Sequence, residues 1–152
     1  MSQNRGHYRV RLLSLSVVRE PDAGVSPLLS DPAAVAALFR QLMADDDREH
    51  FWALYLNSQN RLIAAHEVSV GTLSASLVHP REVFKPALLC GAASVIIGHN
   101  HPSGEPAPSQ EDMRLTRQLA EAAKLLDLRL LDHVIIGSGT DQWVSLAQRG
   151  VL

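Results

Sequence analysis

The chain has 152 residues, enough for one domain with a real core and too few for two. Hydrophobic residues make up 46% and charged residues 20%, a composition that excludes intrinsic disorder, and a net charge of −2 gives no support to a dedicated nucleic-acid binder. A single cysteine, Cys90, excludes an internal disulfide and fits a reducing, cytoplasmic setting, and the chain shows neither a secretory leader nor an apolar run approaching the ~18 residues of a membrane span.

Residues 7–18 are rich in valine and leucine and predict a strand. Arg5, Arg9 and Arg11 would share one face of it, as a solvated surface or a phosphate-contacting edge. Glu20 to Gly24 reads as a loop. Ser30-Asp31-Pro32 is a helix start, with a capping side chain followed by a proline where the missing N–H costs nothing. Val35, Leu38, Phe39 and Leu42 then recur at helical spacing, and the helix should end near Asp45-Asp46-Asp47.

Glu49 to Leu56 predicts a strand, Asn57 to Asn60 a turn, and Arg61 to Val70 the returning strand of a hairpin. A second helix should open near Pro80, with Val83, Phe84, Ala87, Leu88 and Gly91 inward; Cys90 reads as core packing. Ser94 to Gly98 is a short, wholly apolar strand, as at a sheet centre covered on both faces. A loop should span His99 to Pro108. A third helix should run from Ser109 to Leu126, with Leu115, Leu119, Ala122 and Leu126 inward. Leu128 to Ile136 and Trp143 to Leu146 predict two last strands around Gly137-Ser138-Gly139. Strands mixed with helices over so short a chain predict an α/β fold, a three-layer α/β/α sandwich on a mixed sheet, in a single domain.

The segment His99-Asn100-His101-Pro102-Ser103-Gly104 and onward to Pro108-Ser109-Gln110-Glu111-Asp112 carries the chemistry. In extended backbone His99 and His101 point the same way while Asn100 faces the other. Asp112 falls in the first turn of the third helix, where the dipole favours a carboxylate. Two imidazoles and a carboxylate make a three-ligand zinc site with one position open, the hallmark of a catalytic rather than a structural site. His-x-His alone is a weak signal, and Ser109 with Asp112 also reads as a plain capping box. It is the conjunction of strand end, His-x-His-Pro, Gly/Pro loop and Ser-x-x-Asp at a helix start that points to a metal.

That conjunction resembles the JAMM pattern of JAB/MPN metalloproteases. His-Asn-His-Pro-Ser-Gly with Pro-Ser-x-x-Asp is more closely similar to the RadC-like (UPF0758) branch. Ser69-Val70-Gly71-Thr72, His79 to Phe84, Asp132 to Gly137, Ser145 and Gly150 fit the same branch, so the resemblance covers most of residues 7–152. It implies a JAB/MPN, cytidine deaminase-like architecture, a Zn2+ ion on His99, His101 and Asp112, and Ser109 as an oxyanion donor. It also implies a glutamate general acid/base near the start of the strand after the first helix. Glu49 holds that place, and Glu67 on the returning strand is the rival. Full-length members of the branch carry an N-terminal helix-hairpin-helix segment, which this chain is expected to lack.

The implied activity is hydrolysis of a peptide or isopeptide bond in a peptide or protein substrate. Two rivals are a DNA-associated accessory protein of repair or mobile-element systems, and a catalytically silent JAB-fold binding module. Asn100, Ser103 and Gly104 read as loop-shaping, Glu82 as a helix-opening charge, and His66 and His79 as structural. His133, at the head of an apolar strand, reads either as a structural hydrogen-bonding residue or as a support to the metal site. The oligomeric state, a homodimer included, stays open at this level.

Overall fold

The structure is a computed structural model of the chain and describes residues 26–45, 47–71 and 78–152. The strand expected at 7–18, and the three arginines before and within it, lie outside the described residues.

The first helix, α1 (Pro32–Leu42), begins as its sequence dictates. The Asp31 side chain accepts a hydrogen bond from the Ala33 N–H (3.2 Å), and Pro32 takes the first helical position. It stops at Leu42, short of the acidic run, because Met43 is extended and tucks into the core. Acidic residues at a helix C-terminus would also oppose its dipole.

Strands β1 (Glu49–Leu56) and β2 (Leu62–Gly71) form the expected hairpin, closed by the Asn57 side chain, whose oxygen accepts from the Gln59 and Arg61 N–H groups. Helix α2 (Pro80–Leu89) buries Val83, Phe84 and Ala87. Leu88 and Gly91 depart from the expectation. Leu88 is 57% exposed, its direction lying beyond the edge of the buried stripe, and Gly91 falls after the helix with φ 65°.

Strand β3 (Ser94–His101) is followed by α3 (Gln110–Leu125), β4 (Arg129–Gly137) and β5 (Trp143–Ser145). β3 is longer than expected: His99, Asn100 and His101 continue the strand and pair in parallel with Ile135, Ile136 and Gly137 of β4, so the loop starts only at Pro102. In α3, Leu115 and Leu119 are buried as expected and Ala122 packs half-buried against the core, but Ala123 takes the inner position and Leu126 is 41% exposed.

The sheet order is β2-β1-β3-β4-β5, with β3 and β4 parallel and every other pair antiparallel. Period-two alternation along β1 splits the core. Phe51, Ala53 and Tyr55 pack with Ile97 under α2 and α3, while Leu54 and Leu56 pack with Ile96, Val134, Ile136 and Phe39 under α1. The result is the α/β/α sandwich with a mixed sheet.

Two glycines mark where the layers touch most closely. A Cβ on Gly98 of β3 would lie 2.5 Å from the Phe39 ring of α1. A Cβ on Gly137, at the end of β4, would lie 2.9 Å from the Gly104 carbonyl carbon and 2.7 Å from Thr140 Oγ1. The loop after β3 thus lies directly on the turn after β4. Arg40 of α1 donates to the carbonyls of Thr140 and Gln142 in that same turn.

Candidate metal centre

His99 and His101, two apart on the extended end of β3, project toward the N-terminus of α3. Ser109 caps that helix: its Oγ accepts from the Asp112 N–H (3.0 Å), and the Asp112 carboxylate accepts from the Ser109 N–H (2.8 Å). This capping box holds the buried Asp112 carboxylate against the two rings. His99 Nε2 lies 3.0 Å from His101 Nε2 and 3.3 Å from Asp112 Oδ1, and His101 Nε2 lies 3.3 Å from Asp112 Oδ2.

One ligand atom from each residue falls within 4.8 Å of the others. Tetrahedral bonds of about 2.0–2.1 Å place neighbouring ligand atoms roughly 3.3 Å apart, so the spacing fits a single small divalent ion. The donor set fits as well: two imidazole nitrogens and one carboxylate, borderline ligands of the kind zinc takes. His101 is already turned for the task. Its Nδ1 lies 2.8 Å from the Glu105 carbonyl, which can only accept, so in the neutral ring Nδ1 carries the proton and Nε2 is bare.

Charge accounts for the protonation of the metal-free cluster. His101 is raised above the usual imidazole value, chiefly by its hydrogen bond to Asp112, against the desolvation that opposes it. Burial alone would raise the Asp112 carboxyl, but the His101 and His99 rings, which donate to it when they carry a second proton on Nε2, and the Ser109 N–H hold it well below the usual carboxylate range.

The model of the RadC-like JAB domain matches residues 29–151. The chain belongs to the RadC-like JAB domain family. It is 50% identical over 138 residues to a UPF0758 protein of Rubrobacter xylanophilus, covering 91% of this chain and 58% of that protein. A UPF0758 protein of Desulforudis audaxviator is 49% identical over 125 residues (82% and 54%), and one of Methanosarcina acetivorans 49% over 122 residues (80% and 52%). The chain therefore spans about half the length of the curated relatives it matches.

Around His99 and His101, the residues singled out earlier sort by position. Phe51 of β1 pairs with His99 of β3, which brings Glu49, two residues earlier, to the ligand end of the sheet. Its Oε1 is 3.8 Å from His99 Nε2. Glu67 instead binds His50 Nδ1 at 2.6 Å. Asn100, on the opposite face from the ligands, donates to the Arg48 carbonyl and Ser138 Oγ and accepts from the His50 N–H (2.7 Å), joining three segments that meet beneath the site. His66 is exposed, and His79 precedes α2 without capping it by its side chain.

His133 sits within this cluster. It is fully buried, its Nε2 is 2.8 Å from His99 Nδ1, and its Nδ1 is 2.6 Å from Thr116 Oγ1. Complete burial, and next the neighbouring His99, push it well below the usual imidazole value. Thr116 carries no signal in the sequence beyond its place one turn after Asp112. The neighbour of His133 in β4, Asp132, is likewise buried and ties β5 down, accepting from Ser145 Oγ (2.6 Å) and the Ala147 N–H (3.0 Å). Among the described residues no helix is long and apolar enough to cross a membrane.

Proposed function

We propose that the chain is a zinc-dependent hydrolase of the JAMM type, acting on a peptide or isopeptide bond. The observation that carries this reading is the convergence of His99, His101 and Asp112, with a second, non-ligand carboxylate, Glu49, at 3.8 Å from the nearest ligand nitrogen. A purely structural zinc site has no use for that extra acid beside it.

A zinc ion in such a site supplies Lewis-acid polarisation of a carbonyl and activation of water near neutral pH. Glu49, with 15% of its side chain exposed, lies beside His99. Its carboxylate would take the proton of the attacking water and return it to the leaving amine. Ser109 Oγ spends a lone pair on the Asp112 N–H, which leaves its O–H to donate to the oxygen of a tetrahedral intermediate. Glu67 is committed to His50 and takes no part in this scheme.

The test pairs elemental analysis of the purified chain with a peptide-cleavage screen. Stoichiometric zinc, with cleavage abolished both by chelation and by Glu49→Gln, is the expected result. Full cleavage by Glu49→Gln would refute the assignment of Glu49, and a chain that takes up no divalent metal would refute the reading as a whole.

A further inference from the structure

A histidine ligand binds a metal only through a nitrogen without a proton, so something must hold the proton on its other nitrogen. For His101 the Glu105 carbonyl does this. His99 Nδ1 faces no carbonyl; it faces His133 Nε2 at 2.8 Å, and an imidazole nitrogen can either donate or accept.

The next contact settles the direction. Thr116 Oγ1 lies 2.6 Å from the Asp112 backbone carbonyl and 2.6 Å from His133 Nδ1. The carbonyl only accepts, so the single hydroxyl proton points to it. The hydroxyl oxygen then has only lone pairs for His133, and His133 Nδ1 must donate. With its proton on Nδ1, a neutral His133 ring has a bare Nε2. That nitrogen accepts from His99 Nδ1–H, which leaves His99 Nε2 bare on the side of His101 and Asp112.

We propose that Thr116 and His133 are positioning residues that lock His99 in the tautomer with a bare Nε2, through a relay that begins at the Asp112 carbonyl. This rests on the reading of His99, His101 and Asp112 as metal ligands. Asp112 thereby serves twice: its carboxylate joins the ligand set, and its main chain sets the proton position on a second ligand, His99, on the strand before it. Phe51, stacked on His99 at 5.9 Å with an interplanar angle of 11° and edge-on to His133 at 5.7 Å, keeps both rings from turning out of line.

The experiment uses the full chain, its Thr116→Val, Thr116→Ser and His133→Leu variants, and His101→Ala as a control. Long-range 1H–15N spectra of the metal-free wild type at pH 9 should show His99 protonated on Nδ1. Zinc affinity, measured by competition with a chelator, should fall about 10- to 100-fold in His133→Leu and in the same direction in Thr116→Val. Thr116→Ser, which keeps the hydroxyl, should bind zinc like the wild type. A His99 protonated on Nε2 in the wild type overturns the relay, as does unchanged zinc affinity in Thr116→Val and His133→Leu while His101→Ala loses zinc. If His101→Ala binds zinc as tightly as the wild type, the ligand assignment fails and takes the relay with it. Should His133→Leu not fold, the Thr116 pair and the wild-type spectrum still decide the matter.

Discussion

Replacing Gly98 with alanine tests whether the close approach of α1 to β3 positions the ligand strand. The added methyl would lie 2.5 Å from one Phe39 ring carbon and 2.7 Å from two others. Relaxed carbon contacts sit at about 3.5–4.0 Å, so ring and strand must separate by roughly 1 Å. Phe39 is fully buried, between the sheet and the rest of α1, and has no open side to move into. Overpacking of this kind costs about 1–3 kcal/mol. At roughly 2–4 °C per kcal/mol for a chain of this size, the melting temperature should drop by about 2–12 °C. Urea unfolding followed by circular dichroism would measure the cost, and Phe39→Leu, which shortens the offending ring, supplies a cycle. The double variant should be more stable than the sum of the single losses predicts, with a coupling of about 0.5–3 kcal/mol. A Gly98→Ala protein as stable as the wild type, or losses that simply add, would refute the account of this contact.

Four other outcomes follow from the same geometry. Gly137→Ala must push the Gly104 backbone away, and should both destabilise the chain by about 1–3 kcal/mol and weaken its zinc affinity by titration, because the displaced loop carries the carbonyl that orients His101. Zinc at a hundred times its Kd should stabilise the wild type by up to about 2.7 kcal/mol, less whatever the unfolded chain binds, seen as a higher melting temperature that His101→Ala abolishes. Glu49→Gln should lower peptide hydrolysis about 10²- to 10⁴-fold while leaving zinc content intact, a separation visible by assay and elemental analysis on one sample. Metal-free protein should be most stable near pH 6.5, as measured by melts across pH. His101 is raised in the folded state, so its contribution is complete below about pH 6.5 and lost as pH climbs through the folded value; His133 is depressed, so its contribution is complete above about pH 6.5 and lost as pH falls. His101→Gln should remove the alkaline decline and leave the acid one.

Much of this fold was legible because local chemistry and tertiary structure agree. Asp31 and Pro32 start α1, Asn57 closes the hairpin, and Ser109 caps α3 through the same residues that draw Asp112 to the site. The ligand triad was legible for that reason, since strand, loop and cap are all encoded between His99 and Asp112. The extension of β3 was not, because three polar residues before a proline look like a loop. What makes them a strand is distant: Asn100 satisfies groups on residues 48 and 50 and on Ser138, and β4 supplies a parallel partner. Leu88 and Leu126 carry the right residue type for a core, yet with Leu89 and Leu125 they line an open surface between α2 and α3. The role of His133 was left undecided by sequence, and Thr116 went unnoticed, because their bonds to the site cross from one element to another and leave no periodic trace.

If His99, His101 and Asp112 bind a metal as proposed, their placement along the chain bears on how the protein would acquire it. Capture needs only the short stretch from His99 to Asp112, and closing so small a loop is entropically cheap. A chain whose sheet has not yet assembled can therefore already chelate zinc, which shrinks the net stabilisation that the ion confers on the finished domain. Glu49 and His133 come up against His99 only once β1 and β4 have docked on either side of β3. On the proposed reading, metal loading and reactivity would therefore mature at different moments of folding.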